Sequence, residues 1–259
     1  MPLARILALL VVLVASLGGA AGARAAGPNV AAASDLQFAL PEIAALFHAR
    51  TGRNVQLVFG SSGNLRRQIA EGAPIELFLS ADEGFVAALQ QDGRTQGEAP
   101  LYAIGRLALF IPAGSPLEAD GTLADLRAAL ADGRLRKLAI ANPEHAPYGR
   151  AAREALLRTG AWEGAAPHLV LGENVSQAAQ FAASGGAQAA IVAYSLVLDS
   201  ALAGRGRHAL LRASLHEPLR QRMTLVKGAG ADARAFFEFL QQPAARAIFR
   251  RHGFLLPDE

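Results

Sequence analysis

Two adjacent serines bracketed by glycines, in Phe59-Gly60-Ser61-Ser62-Gly63-Asn64-Leu65, offer hydroxyl donors on a backbone that a ligand can approach closely. A further serine stands in Ala31-Ala32-Ala33-Ser34-Asp35-Leu36. In both places an apolar run gives way to a helical pattern. The first amides of a helix have no internal partner and lie at the positive end of its dipole, so the chemistry on offer is the binding of an anion. Serine is also a common helix cap, and either turn alone fits that plainer role. The pair says more, because successive strand-to-helix turns meet at the carboxyl ends of strands, where doubly wound sheets bind ligands.

Three later turns could join them. Tyr148-Gly149 and Asn174-Val175 each stand at a helix start with free amides, and Tyr194 carries a phenol just past a strand. Tyr148-Gly149 fits an ordinary proline-led turn equally, and Tyr194 fits a half-buried amphipathic aromatic. None of these segments places Lys or Arg at the proposed contacts. Catalysis and cofactor binding find little support. The fifth position counted from Gly60 is Asn64, so Gly-x-Ser-x-Gly is absent and a hydrolase using Ser62 is disfavoured. There is no Walker loop and no dinucleotide fingerprint. The six histidines (48, 145, 168, 208, 216 and 252) show no ligand spacing. A binding protein, neither an enzyme nor a cofactor protein, is expected.

The elements that must position these turns alternate between strand and helix. Strands are expected at residues 30–33, 54–58, 75–79, 107–111, 138–141, 169–171, 189–192 and 223–226, with helices between them. One helix opens at Ser34-Asp35 with Leu36, Leu40, Ile43 and Phe47 on one face; another follows Ser62, with Leu65 and Ile69 inward. Two helices, about residues 231–240 and 243–251, close the chain, with Pro243 at a first helical position. The alternation predicts an α/β fold with parallel, doubly wound sheets. The length beyond the leader predicts two lobes, with the boundary crossed twice, near residues 104–108 and 218–222. Lobe I would comprise 26–106 plus 220–259, and lobe II 107–219.

Residues 1–25 read as an export signal: Arg5, an apolar core over 6–17, and Ala23-Arg24-Ala25 as a small-x-small cleavage site. The core is short for a membrane span. There is no Cys, hence neither lipid attachment there nor disulfides. The formal charge of +3 falls to +1 once Arg5 and Arg24 are removed, and the remaining charges are scattered. That balance argues against nucleic acid or a membrane surface as partner. The expected setting is the periplasm.

These segments, together with Gln68-Ile69-Ala70-Glu71-Gly72-Ala73-Pro74, Leu77-Phe78-Leu79-Ser80-Ala81-Asp82, Asn142-Pro143-Glu144-His145-Ala146-Pro147-Tyr148-Gly149 and Phe249-Arg250-Arg251-His252-Gly253-Phe254, resemble the periplasmic molybdate-binding proteins of ABC importers. The resemblance covers nearly the whole mature chain. It implies a two-lobed type II periplasmic binding protein fold, with a double-crossover hinge. It implies molybdate or tungstate as ligand and an ABC permease of the inner membrane as partner, with the protein a monomer. By the family pattern, Ser34 and Ser62 hold the oxyanion by hydroxyl and amide, while Tyr148 and Val175 hold it by amides. Some members add a tyrosine hydroxyl. Here the aligned position is Ala193, and Tyr194 falls one residue late, where a side chain turns to the other face. Sulfate and phosphate are the alternatives. Asp35 decides against or for phosphate, because a carboxylate turned inward could accept the proton of a protonated oxyanion.

Overall fold

The computed structural model describes residues 27–257; the expected signal at 1–25 lies outside them. Two sheets form. The first gathers β1 (Asn29–Ala33), β2 (Gln56–Gly60), β3 (Leu77–Ser80), β4 (Thr95–Gln96), β5 (Leu101–Gly105) and β11 (Leu219–Val226). Its order is β2-β1-β3-β11-β4, with β5 also on β11. The second gathers β6 (Leu107–Pro112), β7 (Leu138–Ala141), β8 (Leu169–Gly172), β9 (Ala189–Ala193) and β10 (Gly206–Leu210), in the order β10-β6-β9-β7-β8. The chain therefore passes between sheets twice, at Arg106 and between β10 and β11.

Helices cover both faces of the first sheet. On one side α1 (Ala39–Thr51) and the closing helices α7 (Ala231–Leu240) and α8 (Pro243–Arg251) bury Leu40, Phe47, Phe236 and Phe249. On the other, α2 (Ser62–Ala70) and α3 (Glu83–Gln91) bury Leu65, Ile69, Val86 and Leu89. The second sheet has its own core with α4 (Ala124–Ala131), α5 (Pro147–Arg158) and α6 (Val175–Ala183). Local chemistry sets several starts. The Asp82 carboxylate accepts the Gly84 N–H at 2.7 Å to open α3, and the Asn174 side chain accepts the Gln177 N–H at 3.1 Å to open α6. Pro147 and Pro243 occupy first turns, where a missing N–H costs nothing.

The sheets are mixed, where the alternation of strand and helix predicts parallel ones. Strands β1, β2 and β3 run parallel, as do β7, β8 and β9. But β11 is antiparallel to β3 and β5, and β6 is antiparallel to β9 and β10. Both β6 and β11 arrive from the other lobe without a crossover helix to return them, so they enter reversed. The edge of the first helix also differs. Ser34–Leu36 forms a separate turn of 3-10 helix, and α1 begins only at Ala39.

Register is what assembles the site. Ala33 pairs with Gly60, so β1 and β2 end side by side and release Ser34 and Ser61-Ser62 at one edge. Ala141 pairs with Gly172, so β7 and β8 release the loop from Asn142 and the turn at Glu173 in the same way. The two carboxyl edges face each other across the gap between the lobes.

Candidate functional site

A small, nearly filled cavity lies at that junction, lined among others by Ser34, Asp35, Ser62, Tyr148 and Val175. Its free volume of about 10 Å³ is close to that of a single water. Larger hollows lie at the surface. One of them lies between Glu83 and Arg222, and there the two side chains pair with each other at 2.9 Å.

Four of the five residues expected at the site thus meet. Ser62 opens α2, Val175 opens α6, and Tyr148 follows Pro147 in the first turn of α5. All are buried. Their amides belong to the first turns and have no intrahelical acceptor. Among the described residues, no hydrogen bond occupies the Ser62, Tyr148 or Val175 N–H. No Lys or Arg lines the cavity. Arg150, the nearest cation along α5, is spent on Asp82 at 2.5 Å and Glu154 at 3.7 Å.

The hydroxyls do not cap their helices, contrary to the sequence expectation. The Ser62 Oγ accepts the Ala81 N–H at 3.0 Å, and the Ser34 Oγ accepts the Ser176 N–H at 3.4 Å. With its oxygen occupied by a backbone amide, each serine has its own O–H left to give. Two alcohols and three helix-start amides are therefore donors without an internal acceptor, the donor set of an anion site.

Tyr194 lies elsewhere. Its ring sits 4.7 Å beneath the Arg106 guanidinium and 5.9 Å from the His208 ring, away from the cavity. Its neighbour turns inward instead, and the Ser195 hydroxyl donates to the Asp35 carbonyl at 2.8 Å. The strand β9 ends at Ala193, and Tyr194 and Ser195 open the short helix Tyr194–Val197, so helical geometry and not strand alternation sends the two side chains apart.

Asp35 is nearly fully buried, and its carboxylate is turned toward the hinge. Oδ2 accepts from the Tyr148 hydroxyl at 2.9 Å and from Gln221 Nε2 at 2.7 Å, while Oδ1 is buried without a partner. Burial pushes its pKa up to about 6, against the pull of those two donors. The folded-state value lies above the unfolded one. Stability is therefore highest below about pH 4, is lost as pH rises toward 6, and is level above. Other carboxylates slope the opposite way, so the comparison must isolate this residue. Asp35→Asn is expected to be more stable than the wild type at pH 7.5 by roughly 2 kcal/mol, with the gap closing toward pH 4. Denaturant unfolding of both proteins across that range, without anion, checks this.

Sequence spacing did not find the grip that closes the mouth. The loop before α5 lies over the start of α2: the Gly63 N–H donates to the His145 carbonyl at 3.0 Å, and Ser61 Oγ pairs with His145 Nδ1 at 2.9 Å. His145 Nε2 stands 3.6 Å from the exposed Glu173 carboxylate, beyond hydrogen-bond reach. Serine, histidine and glutamate thus gather without the tight relay that nucleophilic catalysis needs. Ser176 Oγ also bonds Gln37 across the gap. The partners lie 84 and 139 residues apart in sequence, so no local signal could have named them. Among the described residues, no group of three or more metal-ligating side chains forms, and no helix is long and apolar enough to cross a membrane.

The chain is similar to known proteins in sequence and in fold. A family model described as bacterial extracellular solute-binding protein matches residues 28–255. The molybdate-binding protein ModA of Rhodobacter capsulatus is 37% identical over 89% of this chain and 90% of its own length. ModA of Escherichia coli is 31% identical over 88% of each. The solved periplasmic molybdate-binding protein of Azotobacter vinelandii superposes with a TM-score of 0.81 at 32% identity, covering 89% of this chain and 99% of that one.

Proposed function

Because this chain belongs to the family of bacterial extracellular solute-binding proteins, we propose that it captures molybdate between its two lobes for an ABC importer. Tungstate, alike in charge and shape, is the equivalent ligand. The carrying observation is the donor set: uncommitted amides of Ser62, Tyr148 and Val175, and two serine hydroxyls whose oxygens are already occupied. Such a site asks for an ion that is all acceptor. Molybdate at neutral pH is fully ionised and meets that demand. The protein does no covalent chemistry; binding and release are its whole cycle.

Residues 26–106 and 220–259 act as one lobe and 107–219 as the other, hinged where β5 passes into β6 and where the chain enters β11. The anion docks on Ser34 and Ser62, and the second lobe brings the Tyr148 and Val175 amides over it. The closed monomer then presents both lobes to an inner-membrane permease from the periplasm, to which residues 1–25 direct it.

A second reading has its own observation. The unpartnered Asp35 Oδ1 could accept the proton of hydrogen phosphate. Against it, Oδ2 is committed to the hinge by Tyr148 and Gln221. Competition calorimetry of the mature protein separates the two. Heat with molybdate and tungstate, undiminished by excess phosphate, is expected; heat with phosphate and none with molybdate would reverse the assignment.

A further inference from the structure

Behind the cavity, four buried side chains from four segments form one hydrogen-bonded chain. The Tyr102 hydroxyl donates to Gln221 Oε1 at 2.8 Å. Gln221 Nε2 donates to Asp35 Oδ2 at 2.7 Å, and the Tyr148 hydroxyl donates to the same oxygen at 2.9 Å. Gln221 Nε2 also lies 3.2 Å from the Tyr148 hydroxyl oxygen. Tyr102 on β5 and Gln221 on β11 belong to the strands that carry the chain between lobes. Asp35 belongs to the first lobe and Tyr148 to the second.

The seat for this chain is built into the backbone. Gly105 ends β5, and a Cβ there would stand 2.6 Å from Gln221 Nε2 and closer still to the Tyr148 hydroxyl. The pairing of β11 with β5 slips between Gln221 and Arg222, and such a bulge re-aims a side chain. Burial and the neighbouring Asp35 carboxyl hold both phenols far above their usual pKa, so they stay donors. Tyr148 thus has two tasks at once: its amide lines the cavity and its phenol reaches the hinge.

We propose that the Tyr148 hydroxyl, the Asp35 carboxyl and the Gln221 amide are positioning residues that latch the lobes shut and set how long the anion stays. The proposal rests on the oxyanion reading of the cleft. Asp35 and Tyr148 ride on different lobes, so their contact exists only while the cleft is closed. So does the contact of the Ser195 hydroxyl with the Asp35 carbonyl. A contact made after docking acts on release and leaves encounter nearly untouched. The orphan Asp35 Oδ1 works the other way. Buried without a partner when closed, it gains water when the cleft opens, so the latch does not lock the empty protein.

Tyr148→Phe keeps the ring and the backbone amide and removes only the hydroxyl. Radiolabelled molybdate is loaded on each protein and chased with unlabelled ion, and affinity is measured alongside. The variant is expected to release the ion about tenfold faster, the effect of losing one buried hydrogen bond between the lobes. Its association rate, from the two measurements, should change less than about threefold, a split that a general loss of packing does not produce. Gly105→Ala pushes the phenol off its seat by another route and should accelerate release as well. Release at the wild-type rate by Tyr148→Phe, or a loss confined to association, overturns the latch. If the wild type binds no molybdate, the ligand assignment falls separately, and the same chase is run with the oxyanion that calorimetry does identify.

Discussion

Gly63→Ala is expected to fold like the wild type and yet bind molybdate roughly 30- to 150-fold more weakly, about 2–3 kcal/mol. Gly63 is the second residue of α2 and its φ is not in the left-handed region. Alanine there is intrinsically favoured over glycine by up to about 1 kcal/mol. The obstacle lies in the other lobe. An added Cβ would stand 2.6 Å from the His145 carbonyl oxygen and 3.1 Å from its Cα and Cβ. Most of those atoms are backbone, so the clash yields only if the mouth of the cleft stays ajar. The same loop accepts the Gly63 N–H at 3.0 Å, a bond that an open mouth also loses. Thermal unfolding with and without molybdate reads both halves. The empty variant should melt at the wild-type temperature or above, and the upward shift on adding molybdate should nearly vanish. A full ligand-induced shift would mean that closure at Gly63 plays no part in binding.

The second large effect is expected at Ser62→Ala. The Ser62 oxygen accepts the Ala81 N–H at 3.0 Å, so its single hydrogen is the one left for the cavity. Alanine removes a donor to a desolvated charge and should weaken binding by about 1.5–3 kcal/mol, roughly 10- to 150-fold. It also strands the Ala81 amide in a buried place, which costs the fold about 1–3 kcal/mol with or without anion. The two losses separate by measurement: calorimetry reports the first, and denaturant unfolding of the empty protein reports the second. Ser34→Ala should show the binding loss with less cost to the fold, because its contact with Ser176 N–H is longer, at 3.4 Å. Unchanged affinity in Ser62→Ala would place the anion elsewhere.

What the sequence made legible was local. The strand-to-helix turns at Ser34, Ser62, Tyr148 and Val175 follow from hydrophobic period and turn residues, and the structure brings all four to one cavity. Helices such as Glu83–Gln91, Val175–Ala183 and Ala231–Leu240 carry complete signals within their own length. What stayed hidden depended on distant partners. Strand β5 owes its extended form to β11, more than a hundred residues on, and β10 owes its form to β6. The reversed direction of β6 and β11 is set by how the chain re-enters each sheet, which no periodicity records. The serine hydroxyls looked like helix caps because capping is a local bond; their actual partners are 19 and 142 residues away. The orientation of Asp35 was undecidable for the same reason, since Gln221 settles it from 186 residues away.

Neutral donors are expected to discriminate by form rather than by charge. A lysine or arginine in the cleft would hold any anion strongly, protonated or not. Amides and alcohols with fixed directions hold only what presents acceptors along those directions. Asp35 behind them reinforces the demand: burial has already lifted its pKa to about 6, and a dianion beside it disfavours its ionised form further.

The most direct measurement is a crystal structure of the mature protein grown with tungstate, with the heavy atom located by its anomalous scattering. The account predicts one strong peak between the lobes, its oxygens within about 3 Å of the Ser34 and Ser62 hydroxyls and the Tyr148 and Val175 amides, with no cationic side chain in contact. A peak seated on an arginine, or a cleft without one while the ion binds elsewhere on the surface, contradicts it.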